Sequence, residues 1–196
     1  MPAPTPKVTS PASAPVIPRA KLDPVAGLLS YIIPGLGQVI QGRVVKGVVF
    51  FVSLYALFFY GMWLGKGKNV YLPDSGEGGN RISRLFSDIY YRPHFAGQFF
   101  IGAAAWPALW QYFQFEPNKN EGPLIGNFMR APSADEINHW QRTENKTWDL
   151  GWVYTIIAGV LNILVIYDAV AGPAFREALI KESEALKAQP SAATTA

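Results

Sequence analysis

Apolar residues fall in blocks along this chain, and four blocks approach the roughly 20 residues that a helix needs to cross a bilayer core. They cover 25–41, 44–64, 95–115 and 152–171. The second is the strongest. Val48-Val49-Phe50-Phe51-Val52 and the run from Tyr55 to Tyr60 are apolar around the whole helix, with no face left for water. The first is short and interrupted by Pro34-Gly-Leu-Gly-Gln38. The third carries Gln98, Gln111 and Gln114, which would hydrogen-bond across a bundle interior. The pattern predicts an all-α, integral membrane four-helix bundle over residues 25–175, with short amphipathic helices in the cytoplasmic loop and the C-tail. Residues 1–24 hold seven prolines among Ala, Ser and Thr and predict an extended, disordered tail. Residues 176–196 predict a cytoplasmic helix that runs into a disordered tail.

The connecting segments carry weaker patterns. Ile82, Leu85, Phe86, Ile89 and Tyr90 share one helical face, with Arg81, Arg84 and Asp88 on another. Such a helix lies in the headgroup layer or packs on the protein's own surface. Ser133-Ala-Asp-Glu136 reads as a capping box that starts a short helix through Trp140. Trp106 and Trp110, with Trp140, Trp148 and Trp152, are expected to mark one membrane–water boundary.

Composition narrows the class. Charged residues make up 16% of the chain, against roughly 25% in soluble domains. A net charge of +3 without a dense basic patch gives no nucleic-acid footprint. The absence of Cys excludes disulfides, thiol catalysis and thiolate metal sites. With four crossings, 11 of the 17 Lys and Arg fall on the side of the two tails and the 66–94 loop. Both termini are therefore predicted cytoplasmic, in a cell inner membrane. Arg43 and Lys46 then sit on the disfavoured side. The alternative is a re-entrant first segment that turns back at Pro34-Gly35, which leaves an odd number of crossings.

The candidate residues are structural in character. Pro34, Gly35, Gly37, Gln38, Gly42, Arg43, Lys46 and Gly47 form a hairpin motif between the first two blocks. Pro and Gly permit a kink and close helix contact, and the glutamines can bond across. Asn162 and Asp168 are the polar residues expected inside the fourth crossing. Asp168 reads as a proton or ion site, or as an interfacial salt bridge with Lys66 or Lys68. Neither paired carboxylates, nor an HExxH pattern, nor a nucleophile elbow is present, so no catalytic, cofactor or metal residue is assigned.

Pro34-Gly-Leu-Gly-Gln38 with Gln41-Gly-Arg43 and Lys46-Gly47 resembles the hairpin of the two-transmembrane-helix-domain proteins. The chain departs from them by lacking their Asp-Arg-Phe-like turn and by adding two crossings. It more closely resembles an uncharacterised bacterial family of multi-pass membrane proteins, a domain of unknown function. There the hairpin precedes a crossing matched here by Gly151, Tyr154-Thr155, Ala158-Gly159, Leu161-Asn162, Tyr167-Asp168-Ala169 and Gly172-Pro173. This resemblance implies no assigned activity. The expectation is a structural or interaction subunit and not an enzyme. Its partners would be the lipid bilayer and a membrane-protein partner or a second copy. The alternative is a small transporter or channel with a polar path near Asp168 and Asn162.

Overall fold

The computed structural model describes residues 22–73, 80–114, 124, 128–143 and 146–188. The expected disorder of 1–21 and 189–196 lies outside the described residues. All regular structure among the described residues is helical: α1 (Pro24–Ile32), α2 (Leu36–Ile40), α3 (Val44–Leu64), α4 (Arg81–Tyr91), α5 (Pro93–Phe99), a 3-10 turn at Ala103–Ala105, α6 (Trp106–Gln114), α7 (Ala134–Thr143) and α8 (Thr147–Ala188).

Two of the four expected continuous helices are found. Helix α3 has 21 residues and α8 has 42, and both are long and apolar enough to cross a membrane. At about 1.5 Å per residue, α3 is about 32 Å long. They run antiparallel and touch through glycine: Gly61 meets Gly151 and Thr155, so no side chain holds the backbones apart.

The block 25–41 is not one helix. Asp23 caps α1 by accepting from the Ala26 amide, and Pro24 opens its first turn. The helix ends at Ile33, which is extended because a residue before Pro avoids the α region. Gly35 then takes φ +85° and reverses the chain into α2. Gly37 packs on the Ala26 carbonyl and Ser30, and its amide donates to Ser30 Oγ at 3.1 Å. The outer ends of this hairpin, Asp23 and Gln41, therefore sit side by side, 3.1 Å apart from Gln41 Nε2 to Asp23 Oδ2.

The block 95–115 is broken in the same way. Helix α5 stops at Phe99, Gly102 has φ +84°, and the chain turns through Ala103–Ala105 into α6. Helix α6 returns toward the end from which α5 entered. Tyr112 donates to Asp88 Oδ2 at 2.8 Å, and Gln111 Nε2 donates to the Phe128 carbonyl at 2.8 Å. The Met129 amide bonds to Gly67, just past the end of α3.

The two hairpins enter from opposite ends of the α3–α8 pair and meet in the middle. Gly102 packs on the carbonyls of Tyr31 and Ile32. Asn162, fully buried in α8, donates Nδ2 to the Ser30 carbonyl at 3.1 Å and to the Phe100 carbonyl at 2.8 Å. These carbonyls stand at the breaks, where the helices can no longer use them. Trp106 hydrogen-bonds Tyr31 in this middle layer, so it does not join Trp140, Trp148 and Trp152 at one boundary as expected. Gln98 and Gln111 bond across elements, whereas Gln114 is exposed.

The C-tail helix is not separate. Helix α8 continues through Gly172-Pro173 to Ala188. The capping box is as expected: the Ser133 amide donates to Glu136 Oε2 and the Glu136 amide to Ser133 Oγ. Lys68 Nζ adds a bond to Glu136 Oε1 at 2.7 Å. The Lys68 ammonium, with the Ser133 amide, holds the Glu136 carboxyl below its ordinary value. A depressed carboxylate stabilises the fold above the ordinary value, about 4.3, and this contribution fades as pH falls through the lower folded value. The protection of α7 amides, corrected for intrinsic exchange, should fall over that acid window in the native chain and stay flat in Glu136→Gln. The Glu136 side chain is 41% exposed, so the effect is small.

Candidate functional site

The hairpin motif folds onto Asp168. Because α1 and α2 double back, Arg43 and Lys46 arrive at the same end as the late part of α8. Arg43 Nη2 lies 2.6 Å from Asp168 Oδ2, and Lys46 Nζ 2.7 Å from Oδ1. Gln38 Nε2 adds a bond to Oδ2 at 3.2 Å. The expected partners, Lys66 and Lys68, lie at the other end, beyond the end of α3. Four continuous helices would have placed them beside Asp168; two long helices and two hairpins do not.

The rest of the motif builds the arm that carries these cations. Pro34 and Gly35 make the break, and Gly35 packs backbone to backbone on Gly47. Gly42 turns the chain at φ +76° between α2 and α3. Fully buried Gln38 donates Nε2 to the Val165 carbonyl at 2.8 Å and accepts from Ser30 Oγ at 3.0 Å.

Pro173 explains why the arm docks where it does. A proline inside a helix cannot donate to the carbonyl four residues back, which here is Ala169. Gln41 Nε2 takes that carbonyl at 2.7 Å. The Asp23 amide bonds to the next carbonyl, Val170, at 3.0 Å, and Arg43 Nη1 reaches the preceding one, Asp168, at 3.3 Å. Three consecutive backbone acceptors beside the proline are thus met by the hairpin.

A family model matches residues 25–182, from the first turn of α1 to the far part of α8. The chain belongs to a family of unknown function, DUF6677. No curated protein and no solved structure matches it. The DUF6677 region takes in both hairpins, α3 and Pro173, and of the clamp described above it leaves out only Asp23.

A second polar group in the DUF6677 region runs from the middle layer toward the opposite end. Gln98 Nε2 donates to Thr155 Oγ1 at 2.8 Å and to the Asn69 carbonyl at 3.2 Å, and Asn69 Nδ2 donates to the Gly61 carbonyl at 3.0 Å. Gly159 packs on the Gly97 backbone beside it. The small residues of α8 therefore serve internal contact. With Ser30 linking Gln38 to the Asn162 layer, polar side chains extend from Asp168 through most of the α3–α8 length. Among the described residues, no three His, Asp or Glu are grouped as a metal site.

Gln41, Asp23 and Asn69 matter to this network more than the sequence suggests. The signal for Gln41 was its i,i+3 spacing from Gln38, and the signal for its target was Pro173 four residues beyond Ala169. Gln41→Leu should cost about 1–2 kcal/mol by orphaning a backbone carbonyl. The same change beside Pro173→Ala should cost much less, since the backbone amide restored at that position then takes the Ala169 carbonyl. Additive losses in that double-mutant cycle, read by chemical unfolding, would refute the coupling.

Proposed function

We propose that this chain is a structural or interaction subunit of the cell inner membrane and not an enzyme. In this reading α3 and α8 cross the bilayer, and the two hairpins are re-entrant from opposite faces. The carrying observation is that Gly35, Gln38, Arg43, Lys46 and Gly47 hold the first hairpin to α8 and α3, while Pro34 and Gly37 shape the hairpin itself. Asp168, the most promising ionisable residue, is neutralised by the same arm.

The membrane placement is supported by what α3 and α8 leave uncovered. Val45 is 80% exposed, Trp63 73% and Leu164 64%. A soluble core helix would bury such side chains, and lipid accepts them. In α4, Ile82, Phe86 and Tyr90 are exposed at i, i+4 and i+8, while Leu85 and Ile89 pack on the core. That split suits a helix lying at the headgroup layer. Irregular backbone at the two breaks is enclosed by protein, as the bilayer interior requires.

Both termini share one face in this topology. The tails and the α2–α3 hinge now hold eight of the 17 Lys and Arg, and the two loops hold nine. The charge bias that favoured cytoplasmic termini therefore disappears. Single cysteines at Ser83 and Ser133, in a chain without native Cys, test the topology. Two crossings with two hairpins require both to be labelled from the same face. Four crossings require opposite faces.

Purification in mild detergent should bring down a stoichiometric partner or a second copy. A clean monomer would sink the subunit reading. The runner-up is a small transporter or channel. One observation favours it: the side-chain oxygens of Asn162, Gln98 and Asn69 are buried without hydrogen-bond partners. Under that reading reconstituted vesicles show solute or ion flux that Asp168→Asn abolishes.

A further inference from the structure

A second electrostatic imbalance lies away from the hairpin motif, where α3 ends and α8 begins. Arg92, between α4 and α5, is 7% exposed. Its guanidinium carbon sits 3.3 Å from the centre of the Tyr71 ring and 4.5 Å from that of Trp152. Among the described residues it has no carboxylate partner. Asp88, one turn earlier, accepts from the Tyr112 hydroxyl at Oδ2, and Glu136 pairs with Lys68. Burial pushes the guanidinium below its ordinary value, and Tyr71 opposes this. Arginine stays charged all the same. A desolvated cation held by ring faces and the Tyr71 hydroxyl, with no carboxylate beside it, is costly.

The unpaired atoms describe what would relieve that cost. Arg92 Nε and Nη2 are buried without acceptors. These two nitrogens form the edge of the guanidinium that points two parallel N–H bonds the same way, the geometry that grips a tetrahedral oxyanion or a carboxylate. The indole Nε1 atoms of Trp148 and Trp152 are also buried and unpaired. They belong to the same cluster: Trp148 and Trp152 have ring centres 5.4 Å apart, and Tyr71 packs with Trp148. Both tryptophans lie in the first two turns of α8, whose positive dipole end favours an anion.

We propose that Arg92, Trp148 and Trp152 bind a phosphate group, supplied by a phospholipid headgroup. The headgroup source rests on the membrane reading above, because the cluster lies level with the ends of both candidate crossings. The phosphate chemistry rests only on the cluster itself. Arg92 takes two oxygens of the group, and the indoles donate to the others. The aromatic rings keep water from competing.

Native mass spectrometry of the full chain in detergent, with phosphatidylglycerol and phosphatidylcholine in turn, reads the binding. The intact chain should retain phosphatidylglycerol about ten-fold or more better than the Arg92→Gln variant, the loss expected for a charge-assisted pair. Trp148→Phe and Trp152→Phe keep the packing and remove one donor each. They should weaken retention several-fold even if Arg92→Gln fails to fold. Inorganic phosphate, added alone and followed by thermal unfolding, separates the sources. Stabilisation by millimolar phosphate that needs Arg92, without lipid retention, keeps the oxyanion site and removes the lipid. Equal retention of both lipids by all variants, with no effect of phosphate, overturns the proposal. Same-face labelling at residues 83 and 133 with no Arg92 dependence would sink this site and leave the membrane topology standing.

Discussion

Asp168→Ala is expected to destabilise the fold by about 2–3 kcal/mol, somewhat below the 3–5 kcal/mol typical when one partner of a fully buried ion pair is removed. The discount reflects exposure: the Asp168 side chain is 25% exposed and that of Arg43 18%. Two cations lose their carboxylate at once, and Gln38 loses one of its two acceptors. The shares differ. Arg43 also bonds to the Asp168 carbonyl, so it is fixed in place and unable to escape to solvent. Lys46, at 44% exposure, can swing into water, and Lys46→Ala should cost less than about 1 kcal/mol. Adding Arg43→Gln to Asp168→Ala should therefore recover part of the loss, because the orphaned charge is then gone. Chemical unfolding in detergent micelles followed by circular dichroism measures all three variants. Hydrogen exchange should locate the loosening in α1 and α2 before α3. A loss under about 0.5 kcal/mol for Asp168→Ala would mean that the hairpin is held by its glycine contacts and not by the clamp.

The residues of that clamp were visible in the sequence, but their pairing was not. Hydropathy alone brings out α3, since a block apolar all round leaves nothing for water to hold. It fails on 25–41 and 95–115 because a hydrophobic block does not report direction. Two short helices folded back and one long helix through have the same composition. Pro34 and Gly35 marked the first reversal; Gly102 carried no such neighbour, and its positive φ became apparent only against the Tyr31 carbonyl. Once both blocks double back, Arg43 and Lys46 move to the end where Asp168 lies, and their awkward position under four crossings resolves. Pro173 misled in the opposite direction. The fourth apolar block ends at 171, just before it, yet α8 passes through it because Gln41 satisfies the carbonyl that the proline releases. The Arg92 cluster could not be read at all, since Tyr71, Arg92, Trp148 and Trp152 are brought together from three separate segments.

Gly102→Ala carries an expected effect at least as large as that of Asp168→Ala, and it tests whether the two hairpins meet. Gly102 has φ +84° and ψ −135°, a conformation that side chains avoid at a cost of about 1–3 kcal/mol. A methyl group there would also press on the carbonyl oxygens of Tyr31 and Ile32, which belong to the end of α1 and cannot move without drawing the first hairpin off α8. Overpacking of this kind adds about 1–3 kcal/mol. Gly42 is the internal control. It has a similar φ of +76°, but nothing lies within 4 Å of the added carbon. Gly42→Ala should cost only the backbone strain, about 1–2 kcal/mol. The difference between the two variants reports the contact at the middle layer together with any difference in backbone strain. It should be about 1–3 kcal/mol, and Asn162→Ala should become less costly in the Gly102→Ala background, since Asn162 joins the same two breaks. Equal losses at 42 and 102 would place the second hairpin away from the first, and the Asn162 amide would then have to find its acceptors elsewhere.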